Sequence, residues 1–349
     1  MYEGLEKRKG PEKHKEQEMR KEQEMRVQRA GVIGTGRIAN RFMPEADQVS
    51  GIRVQGVYNP HRESAEQFAA RWGIKAYEDL TEFFKAVDLV YVASPHETHY
   101  SYIKAALEQG KHVLCEKPLV LKREQAAELF AYARDHKLVL FEGIKTAYCP
   151  GFRKLLDIAN SGRIGNLCYV DACFTKLESR DSRELNDRTY GGSLTELGSY
   201  CLLPMIKLLG TDFEDVRFES IKGDNGLDVF TKTSIRYPGG LATAVCGLGA
   251  KAEGRLMIAG TKGYIIAEAP WWKTANIEVH YENPLEVETV SELFQGDGLR
   301  YEIQAFLDRV NDSHGIHGFG LTPEDSITLA DIMERFMETE RFIKLENRE

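Results

Sequence analysis

The fold is decided by residues 30–39, which read Ala30-Gly31-Val32-Ile33-Gly34-Thr35-Gly36-Arg37-Ile38-Ala39. A G-x-G-x-x-A pattern falls at Gly34, Gly36 and Ala39, between an apolar run and an amphipathic stretch. In a strand–turn–helix unit, the first glycine permits a tight turn and the second permits close approach of a pyrophosphate. The helix start then supplies free N–H groups to the phosphates. The predicted cofactor-binding residues of this loop are Gly34, Thr35, Gly36, Arg37 and Ile38.

Apolar runs and amphipathic stretches alternate from Val27 to residue 149. The helical spacing is clear where Ala126, Leu129, Phe130 and Ala133 follow one another. This alternation predicts a parallel sheet covered by helices on both faces, which strengthens the dinucleotide interpretation of the loop. The predicted strands lie at 30–34, 52–58, 89–93, 112–115 and 138–141, and the predicted helices at 64–72, 98–109 and 123–136.

The pattern changes near Pro150. A helix predicted at 151–161 is followed by strand-like runs that short turns separate, and this favours a largely antiparallel sheet. The sequence thus predicts an α/β protein with a dinucleotide-binding domain at 27–149 and a second domain at 150–349. The later predicted strands lie at 167–174, 228–237, 242–248, 256–259, 264–267 and 277–281, and the later predicted helices at 198–209, 298–312 and 323–340.

Composition and charge restrict the class of protein. The 349 residues are 42% hydrophobic and carry a formal net charge of −8, which fits a folded protein rather than a general nucleic-acid binder. No stretch has the length and apolarity of a membrane helix. The six cysteines show no Cys-x-x-Cys pair and no zinc-ligand spacing. We therefore expect reduced thiols in the cytoplasm, no metal site, and neither a nucleic-acid nor a membrane partner.

Residues 1–26 form a separate, charged segment in which the hexamer Lys-Glu-Gln-Glu-Met-Arg occurs twice, at 15–20 and 21–26. The segment has no apolar face with which to dock. We expect a mobile tail, and this interpretation is favoured over a partner-binding role.

The end of the second predicted strand bears on the choice between NAD and NADP. An acidic residue there would bind the ribose 2′-hydroxyl of NAD, whereas arginine accommodates the 2′-phosphate of NADP. The chain has Asn59 and Arg62 and no carboxylate before Glu63. This favours NADP through Asn59 and Arg62 and leaves NAD open. Arg62 as an exposed residue of the first helical turn is nearly as good an interpretation.

Two further segments follow predicted strands of the sheet. In Ser94-Pro95-His96-Glu97-Thr98-His99, the first two residues are expected to line the nicotinamide ribose. The two histidines lack a third metal ligand, and we interpret them as loop residues that cap the next helix. In Cys115-Glu116-Lys117-Pro118, the lysine would point into the cleft and stabilise a developing alkoxide, while Glu116 would hold its ammonium.

These segments, together with a fourth from Arg183 to Tyr200, resemble the family of glucose–fructose oxidoreductase, inositol dehydrogenase and rhizopine-catabolism oxidoreductases (Gfo/Idh/MocA). The resemblance covers residues 27–345. It implies an N-terminal Rossmann domain and a C-terminal α/β domain with an open, mostly antiparallel sheet that forms a homodimer or homotetramer interface. It also implies that the last helix returns to the first domain, and that Lys117 is the principal catalytic residue. The cofactor residues it supports include Ser94, Pro95, His99, Glu116 and Lys117.

The fourth segment carries two departures from the family pattern. Tyr200 falls at the position of the proton donor or acceptor, but Tyr190 replaces a glycine and Glu196 replaces an aspartate. The resemblance implies that Glu196 and Arg183 hold substrate hydroxyls, and Lys145 is a candidate positive group in the substrate pocket, although a surface lysine is an equal alternative. A lysine near Tyr200 is expected to favour its phenolate.

These observations predict an NAD(P)-dependent oxidoreductase that transfers a hydride between nicotinamide and a carbinol or carbonyl carbon of a sugar, polyol or trans-diol. The alternative is a non-catalytic regulator of the same fold that senses a dinucleotide or a sugar. Glu196, Tyr190 and the charged tail favour the regulator, whereas the retained Lys117 and Tyr200 favour the enzyme.

Overall fold

A parallel sheet of six strands occupies the first half of the chain. The computed structural model describes residues 27–311 and 320–339, so the predicted tail lies outside the described residues. The strands are β1 (Gln28–Ile33), β2 (Ile52–Tyr58), β3 (Lys75–Tyr77), β4 (Leu89–Val92), β5 (His112–Glu116) and β6 (Leu140–Gly143). Their order is β3-β2-β1-β4-β5-β6, with every neighbouring pair parallel. This is the doubly wound dinucleotide-binding order, and it confirms the predicted Rossmann fold.

Helices connect these strands. Four of the five were predicted, α1 from the glycine loop and three from their spacing. The ends of those three differ by at most two residues from the predicted ends. The short pair β3 and α3 was missed because three and seven residues are too few to show a period. The helices are α1 (Arg37–Ala46), α2 (Arg62–Trp72), α3 (Leu80–Ala86), α4 (His96–Glu108) and α5 (Arg123–Asp135).

The second half contains a sheet of eight strands. Its strands are β7 (Leu167–Thr175), β8 (Asp215–Lys222), β9 (Asp228–Tyr237), β10 (Gly240–Gly247), β11 (Leu256–Gly260), β12 (Gly263–Ala267), β13 (Asn276–Tyr281) and β14 (Val287–Ser291). The order is β14-β13-β12-β11-β7-β10-β9-β8. The pair β7 and β10 is parallel and the other pairs are antiparallel, which confirms the mostly antiparallel sheet. The unpredicted strands β8 and β14 are the two edges.

One face of this second sheet is covered and the other is open. The long helix α8 packs on β7, β9 and β10, and its residues are almost all buried. On the opposite face, Leu241 and Tyr264 remain 56% and 38% exposed. The helices of this half are α6 (Pro150–Asn160), α7 (Arg183–Asn186), α8 (Ser193–Leu209), α9 (Leu299–Asn311) and α10 (Pro323–Glu338), with short 3-10 turns at Lys145–Tyr148 and Trp271–Lys273.

The last two helices pack against the first half of the chain. Helix α9 lies on α1, and α10 lies on α5 and α8. The buried carboxylate of Glu45 in α1 accepts hydrogen bonds from the guanidinium of Arg300 and from the N–H of Gly298. The backbone N–H of Arg123 donates to Glu334 in α10. These contacts join α1 to the start of α9 and α5 to α10, and α10 itself packs on α8.

Candidate active site

The loop after β1 has the backbone that its glycines predict. Gly34 has φ of +104°, and a Cβ there would overlap the carbonyl oxygen of Ala93. Gly36 differs, because a Cβ there would meet no protein atom within 4 Å. It precedes α1, whose N-terminus has no side-chain cap. Open space beside this backbone, next to uncapped N–H groups, fits the pyrophosphate of a dinucleotide.

Two asparagines hold this loop in place. The Asn40 side chain donates to the carbonyl oxygens of Thr35 and Gly36, at 3.1 and 2.9 Å. The Asn59 side chain donates to the hydroxyl oxygen of Thr35 at 2.9 Å. The predicted residues Thr35 and Asn59 therefore lie together where β1 and β2 end. Asn40 was not predicted, and its position in the first turns of α1 is the signal that sequence reasoning overlooked.

The two arginines predicted at the cofactor are engaged elsewhere. Arg62 pairs with Glu66 and Glu78, at 2.9 and 3.0 Å, and is exposed. It has to leave these carboxylates before it can bind a 2′-phosphate, so the structure favours its interpretation as an exposed helix residue. Arg37 lies at the start of α1, but its guanidinium reaches across to Glu184, at 2.6 Å.

The segment after β4 places its residues differently from the prediction. Ser94 and the exposed Pro95 lie at the sheet edge. His99 is fully buried, and its ring lies 2.9 Å from the carbonyl oxygens of both Ser94 and Pro118. It therefore ties two loops together and does not itself line the cleft. Neither histidine caps α4, because Pro95 is the cap residue and no side-chain cap bond forms.

His96 is a site residue that sequence reasoning set aside. Its Nε2 lies 3.8 Å from Oε1 of Glu196, and its buried Nδ1 has no hydrogen-bond partner among the described residues. Burial and the charges of Lys117, His99 and Arg183 hold the pKa of His96 well below its usual range. The ring is therefore a neutral neighbour of the charged cluster.

Lys117 and Glu196 form the centre of that cluster. The Lys117 ammonium donates to the backbone oxygen of Glu196 at 2.9 Å and lies 3.7 Å from its carboxylate. Arg183 donates to the other carboxylate oxygen at 3.1 Å. Sequence reasoning gave the role of holding the ammonium to Glu116. In the structure Glu196 makes the hydrogen bond to the lysine, whereas Glu116 accepts one from Tyr91 at 2.6 Å and interacts with Lys117 through its charge.

Tyr200 lies one helical turn after Glu196 in α8, on the same face. The ammonium of Lys117 is 6.0 Å from the centre of its ring. Burial, with the charges of Glu116 and Glu302, raises the pKa of Tyr200 well above its usual value, and the charge of Arg41 opposes the shift. The expected effect of a nearby cation is therefore outweighed, because burial and the carboxylates favour the protonated phenol over the phenolate.

A buried charged layer lies behind these residues. Lys145 is half-buried and donates to the backbone oxygen of Asp297 at 2.6 Å, so it is not the surface lysine of the alternative. Burial lowers its pKa, and the charges of Glu302 and Glu116 oppose that shift. Glu302 is 1% exposed, and burial and the charge of Glu116 raise its pKa well above its usual value. No local pattern at residue 302 signals this placement.

Tyr190, which replaces a glycine of the family pattern, does not disturb the backbone before α8. The close approaches fall on the next two residues: a Cβ on Gly191 would lie 2.6 Å from the Asp187 carbonyl oxygen, and one on Gly192 would overlap Asp228. Gly192 also has φ of +112°. The two retained glycines thus carry the steric requirement, and the start of α8 keeps its geometry.

The described ranges, 27–311 and 320–339, contain no group of three or more His, Cys, Asp or Glu residues that could hold a metal ion. Within the same ranges, no helix is both long and apolar enough to cross a membrane.

Most of the predicted residues converge at one cleft. It lies between the carboxyl edge of the parallel sheet and helix α8, where ligands bind in doubly wound folds. The loop of Gly34 and Gly36 forms one side. The residues that meet on the other side are Lys117, Arg183, Glu196 and Tyr200, with Lys145 and Glu116 behind them.

Comparison with known proteins gives the same family on both halves of the chain. Residues 28–144 match the family model described as "Oxidoreductase family, NAD-binding Rossmann fold", and residues 152–266 match the "GFO/IDH/MocA C-terminal domain". Together these matches cover well over half of the chain.

Named relatives span nearly the whole molecule. The chain is 27% identical to scyllo-inositol 2-dehydrogenase (NADP(+)) of Bacillus subtilis, over 88% of this chain and 95% of that enzyme. It is 28% identical to trans-1,2-dihydrobenzene-1,2-diol dehydrogenase of Bos taurus, with the same two coverages. A solved 3-ketoreductase from Actinomadura kijaniata, in complex with NADP and TDP-benzene, superposes with a TM-score of 0.79 at 26% identity, over 91% of this chain and 99% of that one.

The fold, the dinucleotide loop and both family matches agree with the resemblance drawn from the sequence. The named relatives are dehydrogenases and reductases, which supports the enzyme and not the non-catalytic regulator. The chain belongs to the GFO/IDH/MocA oxidoreductase family and is an NAD(P)-dependent dehydrogenase or reductase that acts on CH–OH groups.

Proposed function

We propose that this enzyme uses NADP to interconvert a secondary alcohol and a ketone on a sugar, polyol or trans-diol. The observation that carries the proposal is the position of the Lys117 ammonium, which is held by Glu196 at 2.9 Å and lies beside the Tyr200 ring. This group follows β5, at the sheet edge that also carries the dinucleotide loop. The residues proposed to bind NADP there are Gly34, Thr35, Gly36, Arg37, Ile38, Asn59, Ser94 and Pro95.

Each residue of the cluster has a distinct proposed role. An ammonium has three N–H donors, and the Glu196 carbonyl occupies one, so Lys117 keeps donors for the reacting oxygen. Negative charge that develops on this oxygen is stabilised by the lysine. Tyr200, a neutral phenol, then donates the proton. The bound nicotinamide supplies the hydride in this direction and accepts it in the reverse one.

Glu196 and Arg183 are proposed to orient the substrate. The carboxylate of Glu196 is held between Lys117 and Arg183, and it keeps acceptor capacity for a neighbouring hydroxyl. Arg183 is partly exposed at the cleft and can donate to a second hydroxyl. The substrates of the relatives, an inositol and a dihydrodiol, present adjacent oxygens of this kind.

The first test is fluorescence titration of the purified protein with NADPH and NADH, followed by a screen of sugars, polyols and diols. We expect tighter binding of NADPH and turnover of at least one secondary alcohol or ketone. Equal or tighter binding of NADH would contradict the choice of NADP.

The role of Lys117 is tested by Lys117→Met. We expect turnover to fall by about 100-fold or more, in the range of a lost group that stabilises and transfers charge, with little change in NADPH affinity. The exposed Lys154 of α6 gives the matched control, Lys154→Met, which should keep wild-type turnover. Near-normal turnover of Lys117→Met would remove Lys117 from the mechanism.

The open face of the second sheet is proposed to form a homodimer or homotetramer interface in the cytoplasm. Leu241 and Tyr264 lie exposed on this face, and burying exposed apolar surface drives association. All six cysteines are free thiols, as is usual in a reducing compartment. Light scattering should give a mass of two or four chains, and Leu241→Asp should lower it. A wild-type monomer would refute the interface.

A further inference from the structure

Helix α1 carries three charged side chains on one stripe. Arg37, Arg41 and Glu45 are spaced by four residues, so they share a face of the helix. The helix starts at the dinucleotide loop and runs along the cleft between the two halves of the chain.

The outer two members of the stripe reach the second half of the chain. Arg37 pairs with Glu184, at 2.6 Å. Glu45, two turns later, accepts hydrogen bonds from Arg300. Because Arg41 lies between them on the same face, it too is directed at the second half, in the gap between these two contacts.

Arg41, which is exposed, differs from both neighbours because it has no ion pair or hydrogen bond with any residue in 27–311 or 320–339. The other cations of the cleft are engaged: Lys117 and Arg183 with Glu196, and Lys145 with the Asp297 carbonyl. Arg41 is thus a guanidinium without a carboxylate partner, whereas the neighbouring cations are paired. Such a guanidinium can bind an anionic ligand.

Arg41 lies within electrostatic range of one of the reacting groups. The charge of Arg41 acts on the phenol of Tyr200, where it lowers the pKa against the larger opposing effects. Arg41 also lies four residues beyond Arg37, about 6 Å further along the helix axis from the loop that fits the pyrophosphate. Its position therefore favours the substrate side of the cleft over the phosphates of the dinucleotide.

We propose that Arg41 binds an anionic group of the substrate, so that the preferred substrate is a sugar or polyol that carries a phosphate or a carboxylate. Both groups match the planar fork of a guanidinium, which binds them through paired N–H donors. This inference rests on the proposed function and narrows it: the secondary alcohol that reacts at Lys117 belongs to a charged molecule.

The test uses matched ligands on the NADPH-loaded enzyme. Glucose, glucose 6-phosphate, glucuronate and UDP-glucose share one sugar, and myo-inositol and its monophosphate form a second set. Calorimetry gives their Kd values for the wild type, Arg41→Gln, Arg41→Lys and the control Arg53→Gln. Arg53 is exposed at the start of β2, at the opposite end of the sheet from the cleft.

We expect the wild type to bind at least one charged ligand about 10-fold or more tightly than its neutral partner, as a charge-assisted pair would give. Arg41→Gln should remove that preference, Arg41→Lys should keep part of it, and Arg53→Gln should keep all of it. Comparison of the phosphate esters with glucuronate shows which anion is recognised.

Three results would overturn the proposal: no preference for any charged ligand in the wild type, an unchanged preference in Arg41→Gln, or a clearly weaker NADPH affinity in Arg41→Gln, which would place Arg41 at the cofactor. The failure of the proposed function has a different signature. In that case charged ligands still bind in an Arg41-dependent way, but no ligand in the full screen is oxidised or reduced.

Discussion

Tyr200 lies in α8 where burial and two carboxylates, those of Glu116 and Glu302, act on a single phenol. Each of these effects disfavours the phenolate, and together they outweigh the cation at Arg41. A phenol with a pKa well above its usual value stays protonated through the physiological range. Tyr200 is therefore in the protonated state that the proposed mechanism requires of the donor to a newly formed alkoxide.

This state of Tyr200 predicts a pH profile. Tyr200 loses its proton only when the pH rises through its pKa, and that pKa is raised. The rate of reduction by the wild type should therefore show no ionisation of Tyr200 between about pH 7 and 9. Tyr200→Phe should lower kcat for reduction by about 100-fold, the range of a lost general acid, with NADPH affinity retained. Steady-state rates across this range check both statements. A wild-type inflection near pH 8 that disappears in Tyr200→Phe would contradict the assignment.

Some residues of the cleft can be predicted from the sequence and others cannot. Gly34, Gly36 and Lys117 stand in patterns whose spacing has a physical reason, and the structure places them where that reason requires. Glu302 stands in an ordinary amphipathic helix far beyond Glu116 in the sequence, and the packing of α9 on α1, on β5 and on the turn at Lys145–Tyr148 brings it to the site. The protonation state of Tyr200 follows from that packing and could not be predicted.

At the scale of single elements, the start of α8 shows how a distant residue sets a helix boundary. The sequence predicts this helix from residue 198, but it begins at Ser193. The reason is Asp228, in β9, whose Oδ2 accepts hydrogen bonds from the Leu194 N–H at 2.9 Å and from the Thr231 hydroxyl at 2.7 Å. A cap that comes from another strand leaves no signal in the helix sequence itself. The edge strands β8 and β14 were not predicted for a related reason. Each is defined by hydrogen bonds to a single neighbouring strand, and its own sequence does not show that pairing.

The buried cap predicts a stability difference that depends on pH. Burial raises the pKa of Asp228 to about 6, against the opposing hydrogen bonds of Thr231 and Leu194. Because the folded pKa exceeds the unfolded one, the carboxyl lowers stability as the pH rises from about 4 to about 6, by up to about 3 kcal/mol. Both hydrogen bonds use the same oxygen, so Asp228→Asn can keep them without the charge.

We therefore expect Asp228→Asn to exceed the wild type by only about 1 kcal/mol at pH 4.5 and by about 3 kcal/mol at pH 8. Asp228→Ala should be less stable than Asp228→Asn at both pH values because the donors lose their partner. Urea denaturation at the two pH values measures this. An Asn variant that is equally destabilised at both pH values would show that the carboxylate itself is required.

At the scale of the whole molecule, two sheets of different type are joined by helices that cross between them. The strand–helix alternation predicts the first sheet, and the turn spacing predicts most of the second. Neither pattern reports which helix face meets the other half, because that depends on contacts between residues hundreds of positions apart. The domain boundary near residue 150 therefore stays a prediction, while the contact of α9 with α1 is a property of the fold.

Glu45 is the residue through which the contact between α1 and α9 can be tested. Its carboxylate, 5% exposed, accepts from the Arg300 guanidinium at 2.7 and 3.1 Å, and from the N–H groups of Asp297, Gly298 and Arg300. Burial opposes ionisation, but these hydrogen bonds outweigh it and lower the pKa of Glu45. Removing one partner of a buried ion pair leaves the other uncompensated and typically costs about 3–5 kcal/mol.

We expect Glu45→Ala to lower the free energy of unfolding by about that amount at pH 7. Because the folded pKa lies below the unfolded one, the contribution of the carboxylate is present above the unfolded pKa and is lost as the pH falls through the folded one. The gap between wild type and variant should therefore narrow in acid. Glu66→Ala, which breaks the exposed pair with Arg62, is the control and should cost about 1 kcal/mol or less. If chemical denaturation gives both variants the same small loss at pH 7, Glu45 does not hold the two halves of the molecule together.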